Sequence, residues 1–487
     1  MRTGTSPSPY VSTPTLAGEL VLADVTVVDP ETAELHPHRD VRIARGRITA
    51  VEAHEDRPED GASRVDGTGL FVVPAYVDAH AHALNDPDDV DAAYALMLVA
   101  GIAGYRQMSG SDALLERRAA GTLRRPEGAP RLLALPGDLL TPLTAPDARA
   151  AAATVRHQAE HGADFIKAGI TNRATLLAAL AAAREVGISV AGHVPPDIDP
   201  REAAAAGMRC MEHLGTGTAL YAASSRREEQ VRARSGGVPS LPRVPGLSRI
   251  GSRLLEPLLL RMVVNPAART GARTAEAYEL ADRTFDLAKA EALAAELREH
   301  GTWQCPTLIR VHTQQLPSEH RSDPRAREFM APDVLETWAR TTATFEAQPA
   351  SRRETLAAHW EAQLRLTKVL AEAEVELLTG TDANGAGWVI PGLGLHDEFA
   401  LLAEAGVTPA RILRAATADA ARFLDRADRA GAVRPGHEAD LVLLGGDPTT
   451  DAAALADVRG VVRDGAYRDR AALDAILERL RARPAAR

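Results

Sequence analysis

The order of apolar and polar positions divides the chain into two similar ends and a long middle. Two strand-like runs come first. "LVLADVTVVD" (residues 20–29) and "DVRIARGRITAVEA" (residues 40–53) alternate with a period of two, and Gly46 marks a tight turn. The far end repeats the pattern in "GAVRPGHEADLVLLGGDP" and "VRGVVRDGAYRD". The two ends are expected to pair into one small β-sandwich domain, residues 1–72 plus 426–487, which brings the termini together.

In the middle, short apolar runs alternate with longer amphipathic ones. Eight runs read as strands: "FVVPAYVDAHAH", "GIAGYRQM", "RLLALPG", "DFIKAG", "ISVAGH", "RCMEHL", "WQCPTLI" and "VELLTGTDA". Helix-like stretches such as "DARAAAATVRHQAEHG" and "RATLLAALAAAREVG" separate most of them. This alternation predicts an α/β fold, a TIM (β/α)8 barrel over residues 73–425. An open, doubly wound sheet is the alternative, but no glycine-rich phosphate loop follows the first strand. Two connections, residues 215–302 and 310–374, exceed what a barrel needs. They follow the sixth and seventh strands, on the catalytic face, and read as caps over a site.

Composition narrows the class of protein. Of the 487 residues 45% are hydrophobic and 25% charged, which is ordinary for a soluble globular chain. Aromatics reach only 4%, so the core is built from alanine and aliphatic side chains. A net charge of −10 speaks against a nucleic-acid partner. The start, "MRTGTSPSPYVSTPTLAGEL", lacks the apolar centre of a signal peptide, and no run of about 20 apolar residues predicts a membrane span. Cys210 and Cys305 lie in no CxxC pair and read as buried free thiols, as expected in the cytoplasm. Between Tyr221 and Ala275 there are ten arginines and no lysine. The plain reading is a solvated helical face. The sharper one is a clamp for a substrate carboxylate.

The chemistry-bearing residues stand at strand ends. His80 and His82 are two apart on one strand, so both imidazoles face one side, as metal ligands do. His193, His213 and Asp382 end, or nearly end, three further strands. Any one of them alone is more often an ordinary polar group at a strand end. Four of eight strands ending this way would converge on one mouth of a barrel. Lys167, inside the apolar run "FIKAG", is the anomaly, because a bare buried ammonium is costly.

Together these features resemble the amidohydrolase superfamily of metal-dependent hydrolases. The flanks are similar too: "VVPAYVDAHAH" resembles the family's first barrel strand, and "LHDEFALLAEAGVTPARILRAATADAARFLD" with "GAVRPGHEADLVLLGGDP" its C-terminal signature. The lysine, the long connection after the sixth strand and "LHDEF" resemble the imidazolonepropionase-like and prolidase-like branch. Ala75, "GYRQMSGS" and "GHVPP" depart from the family pattern, and the last two put the substrate in doubt.

The resemblance implies two divalent metal ions, zinc by default with manganese, cobalt or iron as alternatives. His80, His82 and Asp382 would hold one and His193 and His213 the other. Lys167 would bridge them as a CO2-derived carbamate. Asp382 would be the catalytic proton carrier, serving an amide, peptide or N-acyl bond through a metal-bridging hydroxide. His312 is a candidate for stabilising the oxyanion, with an ordinary loop histidine as the plainer reading. Tyr105 and Arg106 are candidate substrate contacts, and His396 and Glu398 are expected to support the site or helix packing. The implied partner is a small molecule, a dipeptide or N-acyl amino acid if it bears a carboxylate, and a homo-oligomer is expected. The rivals are a carbamate, lactone or ester hydrolase on the same site, a heterocycle deaminase, which Lys167 counts against, and a non-catalytic scaffold, which would have lost ligands.

Overall fold

The computed structural model describes residues 8–11, 13–55, 61–86, 88–215, 217–235 and 264–483. Its strands run in chain order. At the front are β1 (Leu20–Val28), β2 (Leu35–Ala44), β3 (Arg47–Ala53), β4 (Ser63–Asp66) and β5 (Phe71–Pro74). The middle holds β6 (Tyr76–Ala81), β7 (Ile102–Gln107), β8 (Arg131–Ala134), β9 (Phe165–Ala168), β10 (Ser189–Gly192), β11 (Met208–Glu212) and β12 (Trp303–Cys305). At the back are β13 (Leu441–Leu444), β14 (Val458–Arg463) and β15 (Ala466–Asp469).

Both ends of the chain enter one mixed sheet in the order β15-β14-β13-β5-β1-β2-β3, with β4 also beside β1. Strand alternation sorts its side chains. Leu20, Leu22, Val41, Ile43, Leu441, Leu443 and Val462 share one apolar core. Val28, Val73, Val442, Leu444 and Val461 face the large core of the middle segment instead. A core shared by both ends is consistent with the expected sandwich.

The run "FVVPAYVDAHAH" is not one strand. Pro74 pairs with Leu441 in the terminal sheet, and two residues later Tyr76 pairs with Ile102 in another. Proline has no N–H to continue a ladder, so the chain changes sheets there. β5 therefore spans the 72/73 boundary drawn from sequence and pairs wholly within the terminal sheet.

The middle strands form two parallel sheets, β6-β7-β8 and β12-β11-β10-β9. The expected eighth strand, "VELLTGTDA", is not a strand. It makes single parallel bridges, Leu377 to Gln304 and Ala383 to Ala81. Gly380 lies so close to β6 that an added Cβ would sit 2.6 Å from the His80 Cβ, and Asp382 is left-handed at φ 60°, so the ladder breaks. Backbone bonds still tie the segment to its neighbours: Leu378 N to Gln304 O (2.9 Å), Ala79 N to Thr379 O (2.9 Å) and His82 N to Ala383 O (3.0 Å). On the other side Leu140 N reaches Lys167 O at 3.0 Å. Among the described residues no single closed sheet forms.

Helices cover the parallel strands. Between β9 and β10, for example, helix Arg173–Val186 starts where the Asn172 side chain accepts from Thr175 N and ends at left-handed Gly187. It buries Leu176, Ala179, Leu180 and Ala183. Where described, the two long connections are mostly helical, including Ala272–Arg283, Leu308–Gln315 and Ala350–Glu372. No described helix is long and apolar enough to cross a membrane.

β9 and β10 meet closely where Gly192 pairs with Ala168. Gly192 has φ +140°, and a Cβ there would lie 2.1 Å from the Ala168 carbonyl oxygen. Gly192→Ala is therefore expected to destabilise the fold by about 2 kcal/mol or more in urea unfolding. A loss below about 0.5 kcal/mol would show that the strands part freely there.

Candidate metal centre

The C-terminal ends of the parallel strands gather the site. His80 and His82 close β6, Lys167 lies in β9, His193 follows β10 and His213 follows β11. Asp382 comes from the eighth segment. His80, His82, Lys167, His213 and Asp382 are buried. The ring centres of His80 and His213 are 4.5 Å apart, those of His80 and His82 5.5 Å, and those of His193 and His213 5.2 Å. Asp382 Oδ1 is 2.7 Å from His82 Nε2 and 3.3 Å from His80 Nε2, and its Oδ2 is 3.9 Å from His213 Nε2.

Three of these imidazoles are oriented from behind. His80 Nδ1 donates to Glu212 Oε2 at 2.7 Å. Ser109 donates its hydroxyl proton to Asn85 Oδ1, so its oxygen is left to accept from His82 Nδ1 at 2.8 Å. Thr307 donates to the Pro306 carbonyl and accepts from His213 Nδ1. With each Nδ1 carrying the proton, each Nε2 presents a lone pair to the centre. His80 Nε2 and Lys167 Nζ are buried without a hydrogen-bond partner. A lone pair and a carboxylate oxygen 2.7 Å apart repel unless a cation or a proton lies between them. The donor set thus fits a divalent metal, and His80, His82 and Asp382 place one ligand atom each within 4.8 Å of the others.

The backbone is strained at the same place. His213, Thr307 and Asp382 are non-glycine residues with φ of 57°, 46° and 60°. Such conformations persist where surrounding structure holds them, and they cluster at functional sites. A Cβ on Gly385 would stand 2.7 Å from Asp382 Oδ1 and 2.8 Å from the His82 ring, filling the space beside both ligands.

Charge follows burial and partners. Burial holds His82 below the usual imidazole range and His193 and His213 well below it, so their lone pairs are free for a cation. Burial pushes Asp382 up, but His80 and His82 outweigh it and hold the carboxyl well below its usual range. Burial likewise raises Glu212, and Arg106 and His80 overcome it. Desolvation pulls the Lys167 amine down to about 8, against the attraction of Glu212 and Asp382.

Two substrate-contact candidates, Arg106 and Tyr105, are corrected, and the remaining candidates take their plainer readings. Arg106 is not at a substrate surface. It is 1% exposed, gives Nη2 to Glu212 Oε1 at 2.7 Å and Nε to Ala79 O at 2.6 Å, and lies between the Phe165 and Phe423 rings. Its part is to hold Glu212, which holds His80. Tyr105 points the other way along β7, fully buried, with its hydroxyl 2.7 Å from that of Tyr94. His312 is engaged with His320 Nε2 at 2.6 Å and packs on Trp360. Two residues earlier, Arg310 enters the centre instead, its Nε 2.5 Å from Asp382 Oδ2. His396 bonds the Ala100 carbonyl, and Glu398 Oε2 accepts from Ile309 N at the start of helix Leu308–Gln315. Glu398 thereby fixes the helix that carries Arg310. Of the arginine-rich connection, residues 236–263 lie outside the described residues. Arg232 pairs with Glu228 and Asp199, and Arg226 with Asp286, on the surface.

Glu212, Ser109, Thr307 and Arg310 were missed in the sequence. For Glu212 and Arg310 a signal existed. Each is a charged residue inside an apolar run, "RCMEHL" and "PTLIRVH", the same anomaly that marks Lys167. Ser109 and Thr307 carry no such mark.

An α/β fold whose strand ends gather histidines, an aspartate and a lysine is that of a metal-dependent hydrolase. The amidohydrolase family's sequence model matches residues 325–467. No curated protein matches the chain. Among solved structures, bottromycin amidohydrolase is 26% identical with a TM-score of 0.67, over 95% of this chain and 90% of that one. A Xaa-Pro dipeptidase with bound methionine is 17% identical, TM-score 0.59, over 93% and 100%. A putative prolidase from Bifidobacterium longum is 20% identical, TM-score 0.59, over 96% and 99%. The resemblance to the amidohydrolase superfamily is borne out, and the dipeptidase and prolidase structures share this chain's fold.

Glu212 offers a test of the orienting shell. Glu212→Gln should weaken metal affinity about 10- to 100-fold, measured by chelator competition on protein whose folding is checked by circular dichroism. Unchanged affinity in a folded variant would remove Glu212 from the centre.

Proposed function

We propose that the protein is a metal-dependent hydrolase that cleaves a carbon–nitrogen bond, an amide, peptide or N-acyl bond, of a small molecule. The observation that carries this reading is the convergence of His80 Nε2, His82 Nε2 and Asp382 Oδ1, with each ring proton turned outward. The two parallel sheets, linked on both sides by backbone bonds, act in this reading as one (β/α)8 barrel over residues 73–425, with residues 215–302 and 310–374 as its caps. The terminal segments, 1–72 and 426–487, are its sandwich domain. Two buried free thiols favour the cytoplasm.

His80, His82 and Asp382 would hold one ion, His193 and His213 a second, with Lys167 joining them as a carbamate. Zinc is the default for such a nitrogen and oxygen donor set. Bound metals supply Lewis acidity, which polarises a carbonyl and acidifies water. The chain's own residues do the rest. Glu212, Ser109 and Thr307 keep three imidazoles aimed inward. Asp382 takes the proton of the attacking water and returns it to the leaving nitrogen. Lys167 is prepared for carboxylation because burial lowers its amine to about 8, and only the neutral amine adds CO2. A deaminase reading is disfavoured by this lysine.

Because the neutral fraction of Lys167 grows as pH rises through about 8, metal loading should be promoted by bicarbonate at about pH 8.5 and impaired in CO2-stripped buffer at about pH 6.5. Lys167→Ala should bind less metal and lose amide hydrolysis across a panel of dipeptides and N-acyl amino acids. Full activity in that variant would sink the bridging role. Wild-type protein that loads metal yet cleaves no amide, while opening lactones or carbamates, would sink the C–N assignment.

A further inference from the structure

Arg310 is the group at the centre whose charge the hydrolase reading leaves unused. It is 4% exposed. Its Nε lies 2.5 Å from Asp382 Oδ2, while Asp382 Oδ1 faces His80 and His82. Nε itself is buried without a hydrogen bond, so its contact with Asp382 is an ion pair, and among the described residues neither Nη1 nor Nη2 donates to a partner. The contrast with Arg106 is sharp. That guanidinium is also buried, but its Nε donates to the Ala79 carbonyl and its Nη2 to Glu212. Guanidinium has five N–H donors in a planar fork, and leaving most of them unpaired in a buried site is costly.

The support under Arg310 is rigid. The helix that carries it begins at Leu308, where Glu398 accepts from Ile309 N, and the preceding Thr307 is bonded to His213. Arg310 is thus tied to the ligand shell at both ends, through Thr307 along the backbone and through Asp382 across the site. Lys167 Nζ is also buried there without a hydrogen-bond partner, and the proposed carbamate would make it anionic.

We propose that Arg310 is the specificity-determining residue of this centre, and that its Nη1/Nη2 fork receives a carboxylate of the substrate. This deepens the hydrolase reading and rests on it. A carboxylate matches the fork with two parallel N–H···O bonds, which a carbonyl or hydroxyl cannot. Position follows from Asp382. Since Nε abuts the carboxylate that serves the leaving nitrogen, a group held by the same guanidinium lies next to that nitrogen. The carboxylate therefore belongs on the carbon attached to the scissile nitrogen, as in an N-acyl α-amino acid or a dipeptide. The surface arginines of the long connection are not needed for this recognition.

The test uses the metal-loaded, full-length protein and matched probes: N-acetyl derivatives of alanine, leucine, phenylalanine and proline, each against the N-acetyl amine that lacks only the carboxylate. Binding is read by calorimetry and turnover by amine release. Wild-type protein should favour the carboxylate member by about 10- to 100-fold in Kd and in kcat/KM. Arg310→Gln should erase that preference mainly through Kd and KM, and Arg310→Lys, which keeps the charge but not the fork, should restore only part of it. Circular dichroism and metal content identify a misfolded variant, and Arg310→Lys gives a second, milder test of the same assignment. Equal binding of both members by wild-type protein, or a preference that survives in folded Arg310→Gln, would overturn the assignment. A carboxylate preference in binding with no amide cleaved at all would instead overturn the hydrolase reading and leave the role of Arg310 in recognition standing.

Discussion

The whole site turns on one electrostatic problem. His82 Nε2 and Asp382 Oδ1 are 2.7 Å apart, and His80 Nε2 is 3.3 Å from the same oxygen. Their ring protons are committed outward, to Ser109 and to Glu212. Electron pairs therefore converge in a buried space where water cannot screen them. Only positive charge makes that arrangement favourable. The orphaned His80 Nε2 and the unpartnered Lys167 amine belong to the same imbalance.

The fold exists to hold that imbalance in place. Left-handed backbone at His213, Thr307 and Asp382 costs energy locally, and packed parallel strands and the helices around them sustain it. Three of the histidines have a partner behind them, and Glu212 and Ser109 have partners in turn. Arg106, between two phenylalanine rings, anchors Glu212, which anchors His80. Glu398, raised to about 8 by burial, fixes the helix that brings Arg310 to Asp382. Removing Arg106 or Glu212 leaves its partner a buried, unpaired charge, so that part of the support is cooperative rather than a set of independent contacts.

Much of this was legible in the chain. Period-two alternation located strands at both ends, and in the middle segment seven of the eight apolar runs contain strands close to where they were expected. The metal-ligand candidates were visible because histidine, aspartate and lysine at the ends of apolar runs are unusual enough to stand out together. Other features were hidden for physical reasons. "VELLTGTDA" has a strand's composition, but Gly380 and left-handed Asp382 turn it to holding the site instead of a ladder. "FVVPAYVDAHAH" has no polar break, yet Pro74 divides it between two sheets. Arg106 and Tyr105 adjoin in sequence, but strand alternation sends one to Glu212 and the other to Tyr94. Ser109 and Thr307 are ordinary polar residues whose part depends on which ring nitrogen they meet, and no local pattern encodes that.

The most direct test of the central claim is the metal content of the purified protein after reconstitution with zinc and bicarbonate and removal of free ions. The account predicts a stoichiometry near two per chain, as a centre with the proposed bridging Lys167 requires. A value near one would contradict the bridged pair. A value near zero, in protein that circular dichroism shows to be folded, would contradict the claim that these converging lone pairs exist to bind a cation.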